Sequence, residues 1–217
     1  MLFNFYKYFV SITYGVTVCN EHAELDKLLS CLVSSIDNND EIIVLQDVTD
    51  KDAHTTAVIE KYKDKIRLIE ARLNGDFASF KNRLITNASK KFLFQIDADE
   101  IPQDGLLQDL KRVLFKYGRK RDCFLVPRIN IVNGYTEEHA GKWNWNVNEK
   151  GYINFPDAQP RIIHTNGAIR WKNKVHEVFD GVKCPYHIAD RNYTRCLLHI
   201  KDIKRQEKQN DFYDTLS

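Results

Sequence analysis

The chain has 217 residues, of which 43% are hydrophobic and 29% charged. That balance is ordinary for a globular domain and excludes a disordered, collagen-like or membrane-bundle polypeptide. Lys and Arg (32) exceed Asp and Glu (30) by only two, so no nucleic-acid partner is expected and any basic site must be local.

Five cysteines (Cys19, Cys31, Cys123, Cys184 and Cys196) contain no C-x-x-C pair, unlike a disulfide framework or a zinc site, which suits a reducing cytoplasmic setting. The chain opens on an apolar, aromatic stretch that Lys7 interrupts and that no small-residue cleavage site follows. Packing of Leu2, Phe3, Phe5, Tyr6, Tyr8 and Phe9 on the core is the favoured reading, and a peripheral membrane contact is its alternative.

Ile12 to Val18 reads as a strand, and Leu25, Leu28, Leu29 and Leu32 place a helix over 24–34. A compact apolar run, Ile42 to Leu45, ends in Asp47; a helix over 53–62 and a strand over 66–69 follow. A helix over 77–89 leads to a strand over 91–96, which stops at Asp97, Asp99 and Glu100. Strands alternating with helices predict an α/β fold with a mainly parallel central sheet, right-handed crossovers and a ligand site beyond the carboxyl ends of the strands. After Pro102 the spacing predicts a helix through Leu114, then a strand over 123–126. Residues 133–157, rich in Asn, Gly and Trp, read as loops and short strands over one mouth of the sheet. The charged segment 201–217 reads as an exposed helix or a linker.

The chemistry concentrates at Asp97-Ala-Asp99. Two carboxylates delivered together to a sheet edge suit a hard divalent cation, Mn²⁺ or Mg²⁺, which completes its coordination with water and substrate phosphates. The bland alternative is that the pair caps the next helix. Asp47, ending another strand, would face the same cleft and accept from a base imide N–H, unless it is only a turn residue. Val18 and Asn20 close the first strand, where Asn20 fixes the loop or meets the nucleotide. Lys81 and Asn82 precede the aspartates with local positive charge, although a solvated basic face is the commoner meaning of such a triplet. His176 and Glu177 place an imidazole beside a carboxylate, as a metal ligand and a general base, and they serve one site only if the chain bends there. Asp157 is the second candidate base.

Taken in order, these segments resemble the family 2 glycosyltransferases, particularly the branch related to lipopolysaccharide-core transferases. The matching stretches are Thr17-Val-Cys-Asn-Glu21, Asp40 through Asp50, Phe77 through Asn82 with Lys81 where the family has Arg, Asp97-Ala-Asp-Glu100, Pro160 through His164, and Lys174-Val-His-Glu177. The family's Q-x-x-R-W motif is replaced by Gln159-Pro-Arg161. The resemblance implies a single GT-A domain over 1–200, with a nucleotide-binding half to about residue 100 and an acceptor half beyond it, followed by the charged 201–217 segment. It implies a metal-dependent inverting transfer from a nucleotide sugar, a UDP-sugar by preference, to a glycan, glycolipid or glycoprotein hydroxyl. Asp47 would contact the base, Asp97 the ribose or sugar, and Asp99 the metal, with His176 and Glu177 at the reaction centre. The rival readings are a sugar-binding module that has lost turnover and a phosphohydrolase with Asp97 as nucleophile. The second is disfavoured because D-x-D follows about three earlier strands rather than the first.

Overall fold

The computed structural model describes residues 5–216, with side chains up to 211. Leu2 and Phe3 lie outside the described residues. The elements run β1 (Ile12–Val18), α1 (His22–Ser35), β2 (Glu41–Asp47), α2 (Ala53–Lys61), β3 (Arg67–Ala71), α3 (Phe77–Asn87), β4 (Phe92–Asp97), β5 (Glu100–Pro102) and α4 (Asp104–Tyr117). They continue as β6 (Cys123–Val126), β7 (Arg128–Asn133), α5 (Glu137–Lys142), β8 (Gln159–His164), β9 (Arg170–Lys172), β10 (Val178–Asp180), β11 (Pro185–His187), β12 (Leu197–Asp202) and α6 (Ile203–Leu216).

Seven strands form the central sheet in the order β11-β6-β8-β4-β1-β2-β3. The neighbours β1, β2, β3 and β4 pair in parallel, as the alternation of strands and helices requires. β8 runs against both β4 and β6. Its beginning, Gln159 to Arg161, therefore lies at the carboxyl end of β4, beside the aspartates. A second, three-stranded sheet, β5-β12-β7, stands next to that edge.

The two faces of the central sheet are buried separately. Even-numbered residues of β1 and β4 (Ile12, Tyr14, Val16, Phe92, Phe94, Ile96) pack with α1 and α4 through Leu25, Leu28, Leu106 and Leu110. On the other face, Ile43, Leu45 and Leu93 meet Phe80 and Leu84 of α3. Gly15 allows that helix to come close, since a Cβ there would stand 2.9 Å from Leu93 and 3.1 Å from Leu84. Side chains alternate along a strand, so the registers Thr17↔Leu45 and Thr17↔Asp97 put Thr17, Asp47 and Asp97 on the α3 face together. α3 starts at Asp76, whose carboxylate accepts from Ser79 N at 2.9 Å, and it buries Ala78, Phe80, Lys81, Leu84 and Ile85. Lys81 thus occupies a position on the apolar stripe, one turn above Leu84, over the end of β4.

Two expectations change. The strand ending at Asp97 is followed by β5 and only then by α4, whose N-cap is Gln103, so the aspartate pair does not cap a helix. At the N-terminus, Val10 is buried, but Phe5, Tyr8 and Phe9 are 52%, 80% and 63% exposed rather than packed on the core. The segment 133–157 holds α5 and two isolated bridges, Asn130 with Ile153 and Val147 with Ile153.

Candidate active site

At the carboxyl ends of β1, β2 and β4 lies a cleft of about 200 Å³, lined by Val18, Cys19, Glu21, Asp47, Phe77 and Asp97 among others. Beside it opens a second cleft of about 620 Å³, bounded by Arg128, Asn130, Trp145, Asp157, Arg161, His176 and His199 among others. Lys81, Asp97, Glu177 and Gln209 line both, forming the wall between them.

That wall is held by charge. Asp97 accepts from Thr17 Oγ1 at 2.7 Å and from Arg161 Nη2 at 2.9 Å, with Lys81 Nζ at 3.5 Å. Burial works against its ionisation, but Lys81 and Arg161 hold the carboxyl well below the usual carboxylate range. Arg161 also pairs with Glu100, and Arg128 bonds the same Glu100 oxygen at 2.9 Å. Both Glu100 and Arg161 are almost fully buried. Lys81 Nζ reaches Glu177 Oε1 at 2.6 Å and lies over the Trp171 ring at 5.3 Å. Burial would strip its proton, yet Asp97 and Glu177 outweigh that effect and raise its pKa. Lysine here is a fixed point charge between two carboxylates.

His176 has a positive φ of 53°, the bend that lets adjacent side chains share a site. His176 and Glu177 accordingly both line the larger cleft. Glu177 Oε2 makes no hydrogen bond among the described residues. Asp157 differs. Its Oδ1 accepts from Gln159 at 2.7 Å, and its Oδ2 from Arg128 Nε at 2.9 Å and Asn130 at 2.7 Å. Burial opposes its ionisation, but Arg128, Asn130 and Gln159 together lower its pKa. With both oxygens engaged, Asp157 braces Arg128 and Asn130 while lining the larger cleft.

Asp47 accepts from Thr49 N (2.9 Å), Thr49 Oγ1 (2.6 Å) and Leu73 N (3.1 Å), all on Oδ1. The turn role and the cleft role coexist. Val18 lines the smaller cleft, whereas Asn20 is exposed on the following loop and is not among the lining residues. Asn82 clamps β9, donating to Trp171 O at 3.0 Å and accepting from Trp171 N at 2.9 Å. That clamp seats Trp171 beneath Lys81. Trp145 lines the larger cleft and packs on Trp143 with centroids 4.9 Å apart.

Asp99 is not among the residues lining either cleft, and the imidazole beside it comes from the second sheet. Asp99 Oδ2 lies 3.3 Å from His199 Nε2, and His199 Nδ1 is 2.8 Å from Asn130 Oδ1. The imidazole beside Asp99 is therefore that of His199, on β12, and His176 stands in the wall of the larger cleft. Burial opposes ionisation of Asp99, but His199 and Lys201 hold its carboxyl far below the usual range. Arg205 of α6 also approaches Asp99 at 3.3 Å and Glu21 at 3.3 Å, tying α6 to the loop after β1. No group of three or more metal-ligating side chains occurs among the described residues. A carboxylate and an imidazole fit Mn²⁺ or Mg²⁺ only as an open site that leaves the other positions to phosphate and water, the coordination these ions favour beside nucleotides. His199 was missed in the sequence, although Leu197, His199 and Lys201 alternate with Leu198 and Ile200 as a strand would.

Residues 14–179 match the family described as Glycosyl transferase family 2, most of the chain, and the protein belongs to that family. It is 28% identical over 170 residues to the SPbeta prophage-derived glycosyltransferase SunS of Bacillus subtilis (strain 168), an alignment covering 77% of this chain and 34% of SunS. It is 26% identical over 122 residues to the poly(ribitol-phosphate) beta-N-acetylglucosaminyltransferase TarP of Staphylococcus aureus (strain N315), over 56% of this chain and 34% of TarP. The chain thus spans about a third of the length of these curated relatives. Its fold is shared with the crystal structure of S. aureus TarS, with a TM-score of 0.60 at 15% identity over 88% of this chain and 36% of that one. The central sheet and its flanking helices are the GT-A arrangement.

Proposed function

We propose that the chain is the catalytic unit of an inverting glycosyltransferase that takes its sugar from a nucleoside diphosphate donor, UDP-linked by preference. The observation that carries this reading is the shared wall: Lys81, Asp97 and Glu177 border both clefts, so a donor in the smaller one and an acceptor in the larger one would meet there. Asp47 on the floor of the smaller cleft suits a base with an imide N–H, as uracil has and cytosine lacks. Asp97, fixed by Thr17 and Arg161, would accept from the ribose or sugar hydroxyls.

In the transfer, Glu177 accepts the proton of the acceptor hydroxyl, the hydroxyl oxygen attacks the anomeric carbon from the face opposite the leaving group, and the nucleoside diphosphate departs. Lys81 orients the Glu177 carboxylate through Oε1, leaving Oε2 for the proton. Asp99 and His199 would hold a divalent cation; His199 lines the larger cleft and Asp99 neither, so the donor diphosphate would extend from the smaller cleft past Asp97 toward that pair, where a bound cation would supply the positive charge the diphosphate requires as it departs. The name of TarP records N-acetylglucosaminyl transfer to poly(ribitol-phosphate), which supports a polyhydroxyl acceptor here; glycolipid and glycoprotein hydroxyls belong to the same chemistry. The polar larger cleft and Trp145, whose ring can stack on a sugar face, agree with such an acceptor. The test is to incubate the protein with a panel of nucleotide sugars and glycan acceptors and read the anomeric configuration of the product by NMR. An α-linked donor is expected to give a β-linked product. A retained configuration, or release of inorganic phosphate in place of nucleoside diphosphate, contradicts the proposal.

A further inference from the structure

Opposite the clefts, at the amino ends of the strands, the surface has a different character. A short 3-10 turn, Phe5–Tyr8, leads into β1, with Phe9 N and Val10 N both donating to Tyr6 O. It lies against the last turns of α4, where Phe5 and Phe9 meet Phe115 with ring centroids 5.3 and 5.9 Å away. The three phenylalanines do not close a core. Phe5, Phe9 and Phe115 are 52%, 63% and 40% exposed, and the neighbouring Tyr8 is 80% exposed. Single exposed aromatics are unremarkable, but four grouped on one projecting edge make a patch that needs an explanation.

The charge around the patch narrows the explanation. Exposed Lys7 lies in the 3-10 turn, Lys116 follows Phe115, and Arg119, Lys120 and Arg121 continue past the end of α4. Lys91, at the head of β4, is on the same end of the sheet, where Lys91 N donates to Ser11 Oγ at 3.2 Å. Lys116 alone would be read as a helix-dipole partner at a C-terminus. Arg119 and Lys120 lie beyond the helix, and neither they nor Lys7 and Lys116 form an ion pair among the described residues. The acidic groups nearest Lys7, Asp37 and Asp40, are already paired with Lys111, and Asp104 lines the same small cleft, so Lys116, Arg119 and Lys120 carry the exposed positive charge of this end.

We propose that this end of the molecule docks on an anionic lipid bilayer, the aromatic rings entering the headgroup region while the lysines and arginines meet lipid phosphates. Aromatic side chains framed by basic ones satisfy both layers of such a surface at once, the apolar boundary and the negative headgroups. No helix among the described residues is long and apolar enough to cross a membrane, so the contact is peripheral. It has a functional consequence. Because the patch sits at the amino ends of the strands and the clefts at the carboxyl ends, a docked protein turns its clefts away from the lipid, toward acceptors arriving from the aqueous side.

Vesicle flotation tests the inference, using phosphatidylcholine alone against phosphatidylcholine mixed with about one-third phosphatidylglycerol. The protein is expected to float with the anionic vesicles, not with the neutral ones, and to be released as salt rises from about 0.05 M to about 0.5 M. Two variant sets separate the contributions: Phe5→Ser with Phe9→Ser and Phe115→Ser, and Lys116→Glu with Arg119→Glu and Lys120→Glu. Each is expected to weaken anionic-vesicle binding about tenfold or more, while the exposed pair Lys27→Glu and Lys51→Glu, with Lys51 just past the carboxyl end of β2, leaves it near wild type. Cooperative melting establishes that each variant is folded, and the charge set decides the matter if the aromatic set is not. Absence of flotation with anionic vesicles, or equal flotation by wild type and the charge-reversed variant, overturns the proposal. So does a dimer seen by light scattering that the aromatic set abolishes while vesicle binding is unchanged, since the patch would then join two copies.

Discussion

Replacing Arg161 with methionine is expected to cost roughly 3–5 kcal/mol of stability, the penalty for leaving buried charge uncompensated. Arg161 is 4% exposed, and it is shared by Asp97 and by Glu100, which is 1% exposed. For a chain of this size the loss corresponds to a fall in melting temperature on the order of 10 °C. Adding Glu100→Gln should return part of it, because the two positions belong to one network and their effects are not additive. The pH dependence has a definite sign. Asp97 has its folded pKa depressed, so the stability it contributes is present above the unfolded carboxylate pKa of about 3.9 and is lost as pH falls through the folded value. The gap between wild type and Arg161→Met should therefore be full near neutrality and shrink under acid. Urea unfolding at several pH values reads this, and a gap that widens on acidification would contradict the assignment.

The second large effect is on rate. Glu177→Gln is expected to lower kcat about 10²- to 10⁴-fold, the range for losing a general base, with little change in the donor KM. The amide can still accept from Lys81, so the wall between the clefts keeps its shape. Loss of the acidic limb of the pH–rate profile would mark a lost proton acceptor rather than a displaced substrate. Asp157→Asn should behave differently, reducing stability through Arg128 and Asn130 and sparing most of kcat. An active Glu177→Gln beside a dead Asp157→Asn would reverse the two roles.

Much of the fold was legible because its signals are local. Ile12 to Val18, Ile42 to Leu45 and Leu93 to Ile96 are largely apolar runs of the kind a sheet buried on both faces requires, and α1 and α3 between them carry apolar stripes. The carboxylates at 47, 97 and 99 could be placed at the strand ends for the same reason. What stayed hidden depends on contacts distant in sequence. Arg161 meets Glu100 across 61 positions, and His199 meets Asp99 across 100. β8 and β12 mix polar and apolar residues, so neither stands out as a core strand until its partners are known. His176 was chosen as a metal ligand for its neighbour Glu177, while the imidazole that the second sheet brings to Asp99 comes from near the end of the chain. Asn82 was read from its place beside Lys81 as a phosphate contact; its bonds to the Trp171 backbone, 89 positions away, are visible only in the tertiary structure.

If a nucleotide sugar is held in the smaller cleft with a divalent cation at the Asp99 and His199 pair, its affinity depends on that cation. Calorimetric titration of UDP and UDP-sugars into the folded protein, with and without Mn²⁺, tests it most directly. The account predicts binding that strengthens with Mn²⁺, loses that dependence in Asp99→Asn, and is weaker for cytidine than for uridine nucleotides. A folded protein that binds none of these nucleotides under either condition would contradict it.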